Sequence, residues 1–157
     1  MIEVTVIDFD PARREAFRAL NLEWLERHFR AEPPDLAMLA EPEALIAAGG
    51  AILYAAAGED IVGCCALKHH GGGTFELTKM AVTERARGLG IGRRLGEAAL
   101  RRFRERDGVK LFLETHDSLA PALRLYESLG FEQADTGVPS PYSRSNVFMV
   151  WRGAPGA

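Results

Sequence analysis

The residues best placed to do chemistry in this chain lie in and around a glycine-rich stretch that begins at Arg87. The stretch reads RGLGIGR and ends at Arg93, with a glycine at every second position between two arginines. Glycine has no Cβ, so an anion can reach the backbone N–H groups directly. If a helix starts here, its free N–H groups and its dipole favour negative charge. We interpret the stretch as a cradle for a phosphate or pyrophosphate, with a ligand-free glycine turn as the alternative.

Two common phosphate-binding motifs do not fit this stretch. The nucleoside-triphosphate loop needs Lys and then Ser or Thr after its last glycine, whereas Arg93 and Arg94 follow Gly92. The dinucleotide fingerprint G-x-G-x-x-G needs a final glycine where the chain has Arg93 or Leu95. The spacing that does fit is Arg-x-x-Gly-x-Gly, from Arg87 to Gly92.

The elements that must position this stretch follow from hydrophobic periodicity. Residues 74–82 are predicted to form a strand that leads into it. Ile91, Leu95, Ala99 and Phe103 recur every four residues and predict an amphipathic helix directly after it. Further on, residues 109–115 predict a buried strand, and residues 119–129 predict a helix with Pro121 in its first turn and Gly130 as its stop.

The rest of the chain completes an α/β or α+β domain with a mixed sheet. Pro11 is expected to open a helix, and the segment AEPPDLAML is expected to be a turn. The predicted order is β-α-α-β-β-β-α-β-α-β-β, in which the three central strands form an antiparallel meander. The remaining predicted elements are strands at 2–7, 51–57, 61–68, 131–134 and 146–151 and a short helix at 42–48. We predict one domain over residues 1–152 and a frayed tail at 153–157.

Composition narrows the possible partners. The chain has 157 residues and a net charge of −3, which argues against a general nucleic-acid binder. Residues 85–106 contain eight arginines and two glutamates, so positive charge is concentrated as expected for a specific anion site. No apolar run is long enough for a membrane span, and the N-terminus lacks a signal peptide pattern. We expect a cytoplasmic protein whose adjacent Cys64 and Cys65 are reduced and structural.

Three segments in order resemble the GNAT superfamily of acyl-CoA-dependent N-acyltransferases. They are FELTKMAV at 75–82, RGLGIGRRL at 87–95 and ALRLYESLGF at 122–131. The resemblance implies a mixed, splayed sheet of about seven strands flanked by about four helices, and acetyl-CoA as cosubstrate. It implies that Met80, Ala81 and Val82 pair with the pantetheine arm. The residues implied to hold the pyrophosphate through backbone N–H groups are Arg87, Gly88, Leu89, Gly90, Ile91, Gly92 and Arg93.

Two side chains are the leading candidates for proton transfer. Glu76 is the one carboxylate in an otherwise apolar strand core, and its position matches the glutamate that many GNAT enzymes use as a base, directly or through water. Glu76 could instead anchor the ammonium group of the substrate or simply face outward. By the same resemblance, Tyr126 is the acid that protonates the CoA sulfur, with a core tyrosine as the alternative. The N–H of Ala81 or Val82 is the implied oxyanion donor.

The chain departs from the family pattern near this tyrosine. Many members have an asparagine seven residues before it that contacts the pantetheine, whereas this chain has Leu119. Ser118 or Asp117 could supply that contact. For the acceptor we considered three residues: Glu32 as an amine anchor or helix cap, Trp24 as pocket wall or core, and His116 as base or substrate contact. Tyr142, Arg144 and Asn146 could also touch substrate or a second subunit.

The resulting hypothesis is an N-acetyltransferase that moves an acetyl group from acetyl-CoA to a primary amine in a ternary complex. We expect no metal, because His69 and His70 lack ligand spacing, and we expect a small-molecule or protein amine as acceptor. A homodimer is possible. Transfer of a longer acyl group is one alternative. The other is a non-catalytic acyl-CoA sensor or interaction module with the same fold.

Overall fold

The structure, a computed structural model, describes residues 3–135, 140–142 and 144–153. It contains one seven-stranded sheet in the order β1-β2-β3-β4-β5-β7-β6, in which only β4 and β5 are parallel neighbours. The strands are β1 (Val4–Asp8), β2 (Ala51–Ala57), β3 (Asp60–His69), β4 (Thr74–Val82), β5 (Lys110–Thr115), β6 (Phe131–Gln133) and β7 (Val147–Trp151). The helices are α1 (Arg14–His28), α2 (Pro33–Ala40), α3 (Pro42–Ala47), α4 (Ile91–Glu105) and α5 (Ala120–Leu129), and single 3-10 turns lie at Pro11–Arg13 and Glu84–Ala86.

Helices cover both faces of the sheet and make two separate cores. On one face, α4 and α5 bury Leu95, Phe103 and Leu129 against the strands. On the other face, α1–α3 bury Phe17 and Leu45, among others, chiefly over β2–β4. Because successive strand residues point to opposite faces, one layer of apolar side chains serves each core.

The adjacent cysteines follow this alternation. Cys65 belongs to the α4 face and Cys64 to the α1 face, and both are free and fully buried. Burial raises the pKa of both thiols. The prediction of unpaired structural cysteines is therefore confirmed.

The predicted turn at AEPPDLAML is wrong, because α2 occupies most of this segment. Two prolines start the helix, where a missing N–H costs nothing. The backbone N–H of Glu32 donates to Asp35 Oδ2 at 2.9 Å, which completes a capping box at the helix start. The described part of the chain thus has five helices, with three instead of two between β1 and β2.

Most other elements agree with their predicted positions. The mixed, splayed sheet has the predicted seven strands, and the four apolar positions that predicted α4 are all buried. The predicted tail at 153–157 lies outside the described residues except for residue 153. Among the helices that the structure describes, none is long and apolar enough to cross a bilayer.

Candidate active site

The parallel strands β4 and β5 separate after a short paired segment. Pairing begins at Thr74 with Lys110 and ends at Glu76 with Phe112. Beyond this point β5 continues to pair with β7 on its other edge, while the second half of β4 runs away from it. A cavity of about 240 Å³, here called the cleft, opens between the diverging strands. Its walls include Glu76, the segment from Leu77 to Val82, Arg87, His116 and Tyr126.

A bulge at Lys79 changes which face the β4 side chains occupy. Lys79 has a φ of 56°, and the pairing of β3 with β4 shifts register at this point. Before the bulge Leu77 faces α4, and after it Met80 and Val82 face α4, so the odd–even alternation is inverted. Ala81 consequently lies in the α1-side core. The bulge therefore sets which backbone groups of Met80, Ala81 and Val82 reach the cleft.

The glycine-rich stretch forms a loop with a run of free donors. Gly88 and Gly90 have φ values of 78° and 74°, a left-handed conformation that favours glycine. Gly90 is the N-cap of α4 and supplies no side-chain cap. Among the described residues, the N–H groups of residues 88–93 have no hydrogen-bond partner. Six consecutive free N–H groups at a helix start are an arrangement that favours binding of an anion.

The flanking arginines do not all face this loop. Arg87 lines the cleft, with Nε 3.4 Å from the carbonyl oxygen of Val82. Arg93 donates to Ser128 Oγ at 2.7 Å, which ties α4 to α5. Arg94 donates to the carbonyl oxygen of Val4 and thus contacts β1. Arg87 is therefore the arginine best placed to add positive charge inside the cleft.

Glu76 is buried in the wall of the cleft and bonds to a histidine. It is 9 % exposed, and His70 Nε2 lies 3.0 Å from Glu76 Oε1. Burial raises the pKa of Glu76, and the hydrogen bond with His70 partly opposes that rise. A carboxylate with a raised pKa is suited to accept a proton near neutral pH. The sequence analysis considered His70 only as a metal ligand and missed this contact, which depends on the β3–β4 register.

Tyr126 reaches the cleft from α5. Its ring packs against Phe131 at 6.1 Å, and its hydroxyl makes no hydrogen bond to any residue that the structure describes. Burial raises the pKa of Tyr126 to about 12. The phenol is therefore protonated at neutral pH, and its proton is available to a ligand.

The other predicted site residues divide into those that reach the cleft and those that do not. Trp24 and His116 line it, and Phe29 stacks between them, with centroid distances of 5.6 and 5.7 Å. Ser118 is not part of the cleft wall; its hydroxyl lies 2.7 Å from His116 Nδ1. Its cofactor contact therefore stays a prediction.

The geometry around His116 bears on its two proposed roles. The backbone N–H of Ser118 donates to His116 Nδ1 at 3.0 Å, so this nitrogen carries a lone pair. In the neutral ring the proton then resides on Nε2, which can donate a hydrogen bond but cannot accept one. Asp117 Oδ1 lies 3.4 Å from the same nitrogen and would stabilise the opposite tautomer, so both roles of His116 stay predictions.

A buried ionic cluster that the sequence analysis did not detect borders the cleft. Asp35 is completely buried and accepts bonds from Lys79 Nζ at 2.6 Å and from both terminal nitrogens of Arg144 at 2.8 Å. Tyr142 lies against both cations, and its hydroxyl accepts from Lys79 Nζ at 3.3 Å. We call these four residues, Asp35, Lys79, Tyr142 and Arg144, the Asp35 cluster. It joins α2, the β4 bulge and the segment before β7.

Glu32 belongs to the edge of this cluster. It lies 3.1 Å from Arg144 Nη1 and sits at the start of α2, so the helix-cap interpretation fits its position better than that of an amine anchor. Among the described residues, no group of three His, Cys, Asp or Glu side chains could hold a metal ion.

Comparison with known families gives one match over most of the chain. The model of the acetyltransferase (GNAT) family matches residues 14–131. A mycothiol acetyltransferase of Acidothermus cellulolyticus is 43% identical over 63 residues, which are 40% of this chain and 19% of that protein. An uncharacterized N-acetyltransferase of Schizosaccharomyces pombe is 32% identical over 81 residues, 51% of this chain and 50% of that protein. The aligned segments thus span half or less of these curated relatives.

Solved structures share the fold over nearly the whole chain. An acetyltransferase of the GNAT family from Staphylococcus aureus superposes with a TM-score of 0.86 at 22% identity, covering 95% of this chain and 98% of that one. A Salmonella typhimurium structure, described as a putative acetyltransferase with its cofactor acetyl-CoA, has a TM-score of 0.75 at 23% identity and covers 94% and 92%. At these identities the likeness concerns the fold.

Proposed function

The chain belongs to the GNAT acetyltransferase family, and we propose that it transfers an acetyl group from acetyl-CoA to a primary amine by direct attack in a ternary complex. One observation carries this proposal. Arg87 lines the same cleft as Glu76 and Tyr126, and it directly precedes the free N–H groups of residues 88–93. An anion site beside an acid–base pair is the arrangement that a diphosphate-bearing thioester requires.

The residues present fit acetyl-CoA. The N–H groups from Gly88 to Arg93 suit the diphosphate, and Arg87 adds charge beside them. The pantetheine arm fits along Met80, Ala81 and Val82, where β4 has left β5 and its edge is open to an added strand. The N–H of Ala81 or Val82 would then stabilise the developing oxyanion. When bound, the cosubstrate supplies the activated acetyl group.

Two proton transfers complete the reaction. Glu76 takes a proton from the substrate ammonium, directly or through water, so that the neutral nitrogen can form a bond to the thioester carbon. Tyr126 donates its hydroxyl proton to the thiolate that leaves when the carbon–sulfur bond breaks. The second proton that the nitrogen loses as the amide forms restores the tyrosine hydroxyl. Both cysteine thiols are buried with raised pKa values, which argues against either one as an intermediate acyl carrier.

The decisive test is a screen of primary amines for release of CoA thiol from acetyl-CoA. We expect at least one amine class to give saturable release with formation of the acetylated amine. Calorimetry with CoA in the same preparation separates the alternatives. Binding of CoA without release by any amine would favour the sensor or interaction module, and absence of CoA binding would reject the proposed cofactor site.

Substitution of Gly90 by alanine tests the loop independently of the chemistry. Its φ of 74° strains any residue with a Cβ, and an added Cβ meets nothing within 4 Å in the structure, so it would project into open space beside the free N–H groups. We expect the dissociation constant for CoA, measured by calorimetry, to rise roughly tenfold, the effect of losing one hydrogen bond to a charged group.

The matched control is Gly58→Ala in the turn between β2 and β3. Gly58 has a φ of 62° and equally open surroundings, so the backbone strain is similar. Both variants should lose about 1 kcal/mol of unfolding free energy, but only Gly90→Ala should bind CoA more weakly. Equal CoA affinities in the two variants would contradict the proposed diphosphate site.

A further inference from the structure

A second cavity meets the cleft at its inner wall. This cavity, here called the groove, has a volume of about 800 Å³ and lies between α2, α3 and the β5–β7 part of the sheet. Glu76, Glu114 and Tyr142 line both the groove and the cleft. A molecule in the groove can therefore reach Glu76 without occupying the space proposed for the cofactor.

Aromatic rings form one wall of the groove. The rings of Phe112 and Phe148 lie 5.3 Å apart between centroids, and His70 lies 5.2 Å from Phe112. Strand alternation places Phe112 and Glu114 on the face opposite the buried Leu111 and Leu113. Both phenylalanines are only partly buried, so a flat ring can be stacked on them.

Carboxyl groups lie at the end of this aromatic wall that borders the cleft. Glu114 lies directly across the β5–β7 ladder from Phe148 and accepts a bond from the uncharged Ser140 at 2.7 Å. Together with Glu76 it places two carboxyl groups where the groove meets the cleft.

His70 forms a hydrogen bond with Glu76, and among the described residues no lysine or arginine forms an ion pair with Glu76 or Glu114. Lys79 and Arg144 are held by Asp35. Lys68, which faces Glu76 across the ladder, is exposed, and Lys110 Nζ lies 6.0 Å from the centre of the Phe148 ring. The end of the groove that borders the cleft is therefore suited to bind an ammonium group.

We propose that the acceptor is a primary amine that carries an aromatic ring, an inference that rests on the proposed function. The amine lies at Glu76 and Glu114, and the ring stacks on Phe112 and Phe148. Phe112 is two residues from Glu114 along β5, a distance of roughly 6.6 Å. A linker of about two carbons between ring and nitrogen matches this separation.

The test compares phenethylamine, 2-cyclohexylethylamine and ethylamine as acceptors for the wild type and for Phe112→Leu and Phe148→Leu. These variants keep an apolar side chain and remove the ring. We expect each variant to lower kcat/KM for phenethylamine about fivefold and to leave ethylamine nearly unchanged. The loss for 2-cyclohexylethylamine should be smaller than for phenethylamine. Because each amine is compared with itself across variants, differences in amine pKa cancel.

Phe9→Leu is the matched control, since Phe9 is a partly buried aromatic residue that lines neither cavity. It should leave the ranking of the three amines unchanged. Turnover of all three amines without an aromatic preference, or equal losses for all three in the Phe112 and Phe148 variants, would overturn the inference while leaving the acetyltransferase intact.

If no amine releases CoA, the proposed function fails and the ligand class is read from binding. Calorimetric titration of the protein with phenethylamine and ethylamine then decides. Tighter binding of phenethylamine that is weakened by Phe148→Leu supports the aromatic amine site, and absence of any such difference rejects it.

Discussion

Replacing Glu76 by glutamine lowers kcat by about 10²- to 10⁴-fold and leaves the affinity for CoA unchanged, the result expected for loss of a general base. The substitution preserves shape and can preserve the hydrogen bond with His70, so the fold should not change. Steady-state kinetics with the best amine from the screen and calorimetry with CoA measure the two quantities. If KM for the amine rises while kcat is unchanged, Glu76 is an ammonium anchor instead of a base.

The pH profile supplies a second readout of the same group. The ionised form of Glu76 is the base, and its pKa is raised by burial. The acidic limb of kcat/KM should therefore fall as pH decreases through a value above the ordinary glutamate pKa of about 4.3. This limb should be absent in Glu76→Gln.

Glu114→Gln is the matched control for this variant. It removes a carboxylate from the same wall without removing the proposed base. It should raise KM for the amine and change kcat by less than about tenfold, since it removes a binding contact and no proton acceptor. Equal losses of kcat in the two glutamine variants would contradict the assignment of the base to Glu76.

Replacing Asp35 by asparagine should cost about 3–5 kcal/mol of unfolding free energy, because it leaves two cations near the cleft without their shared carboxylate. Lys79 is almost completely buried with its side chain 4 % exposed, and Arg144 is 17 % exposed, so water cannot replace the lost charge efficiently. Urea denaturation at neutral pH measures the change. Lys79→Met should cost less, since Asp35 retains Arg144.

Glu43→Gln is the control that separates the effect of burying an ion pair from the effect of breaking one. The Arg14–Glu43 pair has the same separation of 2.6 Å as the Lys79–Asp35 pair, but both of its side chains are exposed. Glu43→Gln should lose much less unfolding free energy than Asp35→Asn, because solvent screens exposed ion pairs. A loss for Asp35→Asn no greater than that for Glu43→Gln would show that the Asp35 cluster contributes little to stability.

We also expect Asp35 to make the unfolding free energy of the protein sensitive to acid. Burial alone would raise the pKa of Asp35, but hydrogen bonds from Arg144 and Lys79 outweigh it and lower the pKa to about 2. The ordinary value for an unfolded chain is about 3.9. Stability from this group is therefore complete above that value and is lost as pH falls towards about 2. Asp35→Asn should lack this part of the acid dependence.

Local patterns in the sequence were sufficient for much of the fold and for the proposed anion site. The glycines from Gly88 to Gly92 and the four-residue apolar spacing of α4 concern neighbours along the chain, so composition and period determine them. The same holds for the strand containing Glu76 and for the family motif around Tyr126. Even α2 had a local signal in the Glu32–Asp35 capping box, which the two prolines obscured.

Other features depend on contacts between distant parts of the chain, and only the folded molecule decides them. The bulge at Lys79 inverts the faces of β4 through its register with β3, and no period in the sequence encodes that register. His70 meets Glu76 through the same pairing. Asp35, Lys79 and Arg144 are far apart in sequence, and they form a buried cluster because three elements pack at one place. Local residue preferences determine helices, turns and a donor-rich loop, whereas the environment of a buried charge is a property of tertiary packing.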